Sequence, residues 1–189
     1  MSNHKLNLHK VLKLSYDSND AHQQKMKKNG YQFDSMLSSK NEKVYWNPTA
    51  NKLLVSVAGT DKFSPKDLIT DVYLAAGKLQ NTSRYQHARD TITDAKKKYQ
   101  VSSATLAGHS LGGSIVSYAG SKGDKIYTLD KGATIGTKTR SREKAFRSAG
   151  DAVSALAANS GNMKTLGKYN ANPLAAHNIS NIKQNKIYI

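Results

Sequence analysis

The 189-residue chain predicts an α/β fold, a central mainly parallel sheet flanked by helices. Three observations carry that expectation. Short apolar runs of strand character alternate with longer segments whose apolar residues recur every three to four positions. A glycine-rich turn joins one buried run directly to an apolar helical run. With 38% hydrophobic and 22% charged residues, there is enough apolar material for a real interior. The length fits one domain, 1–189. Within it, 1–40 reads as an N-terminal helical segment and 41–180 as the core.

Taken in order, His9–Tyr16 and Ala21–Lys28 read as short helices, the second closed by the stop pair Asn29-Gly30. Val44–Trp46 and Lys52–Ala58 read as two strands of a hairpin around Asn47-Pro48. Ser64-Pro65 is a helix start, followed by Leu68, Val72, Ala75 and Leu79 on one face. Ser83–Lys98 is the clearest helix, with Tyr85, Ala88, Ile92, Ala95 and Tyr99 on its apolar side. Ser103–Ala107 then reads as a buried strand, Leu111–Ala119 as a helix and Lys125–Leu129 as a strand. Ser141–Ala158 reads as helical with a break at Gly150.

Composition excludes several chemistries. Without cysteine there is no disulfide, thiolate nucleophile or cysteine metal site. No run of apolar residues is long enough for a transmembrane helix, and Met1–Lys5 leads into mixed polar sequence, so Sec-type secretion is not expected. The 29 Lys+Arg against 13 Asp+Glu give a net charge of +16, which attracts anionic membranes and nucleic acid without sequence preference. Basic residues are densest from Lys122 to Arg147 and form no nucleic-acid-binding motif. Asp67 and Asp71 lie one helical turn apart, but without a third ligand they read as a solvated face rather than a metal site.

The strongest signal is Gly108-His109-Ser110-Leu111-Gly112-Gly113, a G-x-S-x-G between a buried strand and a helix. A sharp strand-to-helix turn holds such a serine in strained backbone, and glycines two before and two after remove Cβ atoms that would collide with neighbouring backbone. Ser110 is expected to project its Oγ into solvent. The N–H of Leu111, at the helix start, is then aimed at a developing oxyanion. Six histidines are present; His4, His9, His22 and His87 precede Ser110 in segments that read as surface helix, and His109 lies inside the turn. His177 therefore remains as the candidate base.

At these residues the chain resembles the class 3, fungal-lipase-like branch of the α/β-hydrolases, for which GHSLGG is the usual elbow. Val57-Ala58-Gly59-Thr60 is similar to the family's strand ending in Gly-Thr, although Ala58 stands where an arginine is usual. The resemblance implies that Thr60 supplies the second oxyanion donor. Asp151-Ala152-Val153-Ser154-Ala155-Leu156 is similar to the Asp-x-Val-x-x-Leu segment that carries the family's triad aspartate, and His177 falls where its histidine falls. The order Ser, Asp, His is that of α/β-hydrolases, with Asp151 placed 41 residues after Ser110 and His177 placed 26 further on. Asp130, closing a strand after the elbow, is the rival acid.

The resemblance implies a compact, minimal α/β-hydrolase fold, with 41–180 as its lipase-like core, and a carboxylic ester hydrolase of lipase, phospholipase or esterase type. It needs no cofactor or metal. Asp61–Lys66 is too short and polar for an apolar lid, so an open site is expected. The lysine-rich layout and Thr128–Ala133 are most similar to the small lipase-like proteins of large DNA viruses and virophages, which implies host cytoplasm or virion as location. A second class fits the same residues: a virion-associated structural protein with an idle triad, its basic surface contacting membrane or capsid proteins.

Overall fold

The computed structural model describes residues 6–17, 20–60, 79–132, 142–155 and 163–189. The helix expected from Ser64, the polar stretch Asp61–Lys66, and Asp67, Asp71 and Ala133 lie outside the described residues.

The chain opens with α1 (Leu8–Tyr16), capped by the Asn7 side chain, which accepts from the Lys10 N–H at 3.3 Å. Then come α2 (Asp20–Lys28), the short edge strand β1 (Gln32–Phe33), and the hairpin β2 (Glu42–Asn47) and β3 (Lys52–Val57). A 3-10 turn at Leu79–Asn81 leads into α3 (Ser83–Lys98), whose first turn is closed by Thr82 accepting from the Tyr85 N–H. Next are β4 (Thr105–His109), α4 (Leu111–Ala119), β5 (Lys125–Leu129), β6 (Glu143–Ser148), α5 (Ala152–Ala155), β7 (Met163–Leu166), α6 (Pro173–His177) and a closing 3-10 turn at Ile179–Ile182. The predicted bounds of α3, α4 and β5 match the structure.

Among the described residues the sheet has seven strands in the order β1 to β7. β1, β2 and β3 pair antiparallel, while β3 through β7 are parallel, so the carboxyl ends of five strands share one edge. The α/β expectation is therefore met. Alternation along each strand divides the core between two faces. Leu54, Ala107, Tyr127 and Leu129 pack against Leu8, Val11 and Leu12 of α1. Leu53, Val55, Leu106 and Ile126 face Ala88, Ile92 and Ala95 of α3 and Ile115 of α4. The C-terminal residues tie α1 down, because the Leu8 N–H donates to the Ile187 carbonyl at 2.8 Å and the Ile189 N–H to that of Leu6 at 2.9 Å.

The helix expected over Ser141–Ala158 is corrected. Glu143–Ser148 is strand β6, which pairs with both β5 and β7, and among the described residues of that stretch only Ala152–Ala155 is helical, after a turn in which Gly150 has φ 90°. Glu, Lys, Ala and Arg favour a helix locally, but two neighbouring strands offer a backbone ladder on both sides, and tertiary pairing outweighs weak propensity. β1, β7 and α6 are additions to the sequence reading. β1 also means that the N-terminal segment contributes to the sheet as well as supplying helices.

β6 also carries a buried charge. Glu143 accepts from Lys131 Nζ at 2.6 Å, Thr128 Oγ1 at 2.7 Å and Ser117 Oγ at 2.8 Å, and the lysine side chain is 1% exposed. Such a pair is sustained only because its oxygens are fully hydrogen-bonded, and removing one partner strands the other charge in low dielectric. Glu143→Ala should therefore cost about 3–5 kcal/mol of stability, read as a lowered urea midpoint with unchanged slope.

Candidate active site

The shared carboxyl edge gathers the chemistry, as expected for open parallel sheets. Gly59-Thr60 follow β3, Ser110 follows β4, Asp130 follows β5, and Asp151 follows β6 by one turn.

Ser110 has φ 55° and ψ −127°, a conformation that L-residues rarely adopt, and no side-chain cap bond satisfies it. Its surroundings permit it because glycine stands on both sides. A Cβ on Gly108 would fall on the Gly112 carbonyl, and one on Gly112 would fall on the carbonyls of Val57 and Ala58. The turn can form only where those side chains are missing. Leu111 then opens α4.

Solvent exposure of Ser110 is corrected. The residue is 0% exposed, and its Oγ is buried without a hydrogen-bond partner. Gly59 packs against it closely: a Cβ built on Gly59 would lie 2.9 Å from the Ser110 Cβ and 2.6 Å from the Tyr16 hydroxyl.

His177 and Asp151 are brought together. His177 Nδ1 lies 2.8 Å from Asp151 Oδ1, both residues being buried. Asp151 is in turn aimed by backbone, accepting from the Val153 N–H at 3.1 Å and the Ser154 N–H at 2.8 Å. Burial pushes the Asp151 carboxyl up, but hydrogen bonds from His177 and Ser154 together with the His177 charge outweigh it and hold it below the usual range. Ionised Asp151 accepts from His177 Nδ1, and this bond orients the imidazole ring.

Asp130 is held differently. Its two oxygens accept from the Ser148 N–H at 2.5 Å and the Ser148 hydroxyl at 2.7 Å, and its backbone has φ 49°. Burial first, then the Asp151 charge, raises its carboxyl well above the ordinary value. Of the two candidate acids, Asp151 is the one in contact with His177 Nδ1.

Two residues that sequence reasoning passed over join these parts. His109 Nε2 lies 2.9 Å from the His177 carbonyl, which can only accept, so this nitrogen carries the proton. His109 Nδ1 therefore accepts from the Tyr16 hydroxyl at 2.8 Å, and the Tyr16 oxygen accepts from the Gly59 N–H at 2.7 Å. The chain runs one way, from the end of β3 through α1 to the residue before Ser110 and on to His177. The rings of His109 and His177 lie 4.8 Å apart. Burial, reinforced by His177, pushes His109 down to about 3. Arg84 of α3 also reaches this edge, donating to the Ala58 carbonyl at 2.8 Å. It thus supplies from α3 a guanidinium beside the residue where the resembled family usually carries its arginine. No sequence signal marks Tyr16 or Arg84, because each acts from a distant element.

His109, Asp130 and His177 place possible metal-ligand atoms within 4.8 Å of one another. Both His109 nitrogens, both Asp130 oxygens and His177 Nδ1 are already engaged in hydrogen bonds. A cation would have to break this network, so the residues do not fit a metal centre.

A cleft of about 530 Å³ opens beside the pair, lined by His109 and His177, by Tyr16, His9 and Lys13 of α1, and by Ile179 among others. Thr60 lies at the end of β3, partly buried.

These features define an α/β protein with a serine in a nucleophile-elbow conformation and a buried His–Asp pair at the carboxyl edge of its sheet. Among solved structures, the chain is similar to the Rhizomucor miehei lipase–propeptide complex, with a TM-score of 0.48 and 12% identity over 85% of this chain and 65% of that one. It is also similar to a triacylglycerol lipase from Penicillium expansum, with a TM-score of 0.48 and 15% identity over 86% of this chain and 75% of that one. The chain thus spans just under two thirds of the Rhizomucor protein's length. No family profile and no curated protein matches the sequence.

Because His109 is neutral in the fold but takes a proton below about pH 6.5 when unfolded, the unfolded state binds more protons between those limits. Its contribution to stability is complete above pH 6.5 and is lost as pH falls toward 3. His109→Gln should flatten the acid limb of stability against pH by up to roughly 1.4 kcal/mol per pH unit, measured by urea unfolding at a series of pH values. Tyr16→Phe leaves the Gly59 N–H and His109 Nδ1 without their partner, and should cost about 1–3 kcal/mol at neutral pH.

Proposed function

We propose that the chain is a serine hydrolase of carboxylic esters, acting on lipid-like esters, with Ser110 as nucleophile, His177 as base and Asp151 as the acid that orients it. The observation that carries the reading is the 2.8 Å bond between His177 and Asp151 at the sheet edge where Ser110 occupies its strained turn. Strained serine backbone at a strand-to-helix turn has a chemical use: it holds Oγ off the helix axis, facing the base and the helix N-terminus.

In the proposed reaction, His177 Nε2 removes the Ser110 proton as Oγ attacks the ester carbonyl. The imidazolium is balanced by ionised Asp151 across the Nδ1 bond. The N–H groups of Leu111 and Thr60 receive the oxyanion. His177 then protonates the leaving alcohol, and water attacks the acyl-enzyme by the same proton route. Every group in this scheme comes from the chain, so neither step calls on a cofactor. Since Ser110 is fully buried, acylation requires its surroundings to open to the substrate.

Turnover of a short p-nitrophenyl ester and labelling by a fluorophosphonate probe test the reading. Both should vanish in Ser110→Ala, and activity that survives this change would end the proposal. Asp151→Asn should lower turnover by roughly 10⁴ and Asp130→Asn, which does not touch His177 Nδ1, by little. The reverse pattern would move the acid's role to Asp130. Thr60→Val should cost about 10²–10³ if its hydroxyl donates to the oxyanion, and almost nothing if only its N–H does.

A further inference from the structure

A second cleft, of about 630 Å³, adjoins the catalytic one, and the two share His9 and Lys13. Its rim is built from three separate parts of the chain: Lys10 and Lys13 of α1, Lys25 and Lys28 of α2, and Lys183 and Lys186 near the C-terminus. Among the described residues that line it, six of fourteen are lysines and none is acidic, whereas Lys and Arg together make up only 29 of the 189 residues. A uniform basic coat would not concentrate charge in this way. All six are exposed, and none forms an ion pair among the side chains described.

Half-buried His9 reports the imbalance. Burial lowers its affinity for a proton, and Lys13, Lys183 and Lys10 lower it further. Cations drawn this close repel one another, and an anion seated between them relieves the repulsion. The floor has a different character. Leu6, Val11, Leu14 and Met26 are buried beneath the lysines, and Tyr188 stands at the margin 48% exposed. Lysine heads over an apolar floor with an aromatic ring at the edge match a molecule that is anionic at one end and apolar beside it. At about 630 Å³ the cleft is large enough for a headgroup, whereas a nucleic-acid backbone is followed along an extended basic groove.

We propose that this cleft binds the phosphate-bearing headgroup of an anionic lipid and holds it so that the lipid's ester bond enters the neighbouring cleft at His177. The second half of this statement rests on the esterase reading above; the headgroup site does not. Lysines near a membrane surface contribute roughly 1 kcal/mol each toward anionic lipid, and they are screened by salt over about 8 Å at physiological ionic strength.

The test is sedimentation of the full chain with vesicles of phosphatidylcholine, with and without added phosphatidylglycerol. Lys25→Glu/Lys186→Glu should weaken binding to the anionic vesicles at least about tenfold. Lys122→Glu/Lys125→Glu makes the same charge change at the start of β5, outside the lining of both clefts, and should weaken it far less. Turnover of a neutral soluble ester should be equal in both variants and the wild type. Equal loss of vesicle binding in the two variants would overturn the proposal in favour of diffuse attraction. Displacement by millimolar inorganic phosphate as effective as that by vesicles would make the cleft a free-phosphate site and overturn the lipid assignment. Duplex DNA held more tightly than vesicles and released by Lys25→Glu/Lys186→Glu would overturn it as well. A wild-type chain that binds anionic vesicles through this cleft yet turns over no ester would refute the esterase reading alone and leave the headgroup site standing.

Discussion

Backbone crowding at the turn between β4 and α4 governs the rest of the molecule. Ser110 is held at φ 55° because α4 begins so close to the ends of β3 and β4 that Cβ atoms at Gly108 and Gly112 would overlap carbonyl groups. That proximity makes the helix N-terminus, the β3 end and the serine a single packed unit. Strain of this kind persists only where surrounding structure over-determines it. Here the determinants are the parallel ladder on both sides of β4 and the bond from the Ser110 N–H to the Leu129 carbonyl at 2.9 Å.

The hydrogen-bond chain through His109 extends this unit to both ends of the sequence. Its direction follows from one fact, that the His177 carbonyl has no proton to give. Gly59, Tyr16, His109 and His177 come from four elements, so the bond pattern fixes the N-terminal helix and the C-terminal histidine against the same turn. His109 must be neutral to accept from Tyr16, and burial keeps it so.

Two carboxyl groups on neighbouring strand ends illustrate how environment divides labour between like residues. Asp151 ionises because backbone N–H groups and His177 stabilise its charge, and that charge in turn raises the affinity of Asp130 for its proton. Lysines show the same dependence. Lys131 is buried and satisfied by Glu143, whereas the six around the second cleft face solvent with no acidic residue among the described residues of its lining. A net charge of +16 says nothing of this difference, since it is the arrangement that sets the local field.

Local chemistry made much of this protein legible. The three- and four-residue spacing of Tyr85, Ala88, Ile92 and Ala95 marked α3, because a helix that packs on a sheet must present such a face. The glycines flanking Ser110 marked the elbow, because no other residue lets two backbones approach that closely. Segment 143–148 was misread as helix, since its composition carries propensity but not the two strands waiting to pair with it. Tyr16 and Arg84 gave no signal, and the basic density from Lys122 to Arg147 pointed away from the cleft where Lys10, Lys25 and Lys183 meet. By itself, the sequence determined the alternation of elements and the strained turn, both set by neighbours along the chain. Only the tertiary structure decided which carboxylate meets His177, what covers Ser110 and where positive charge converges, because those depend on residues that folding alone brings within a few ångströms of one another.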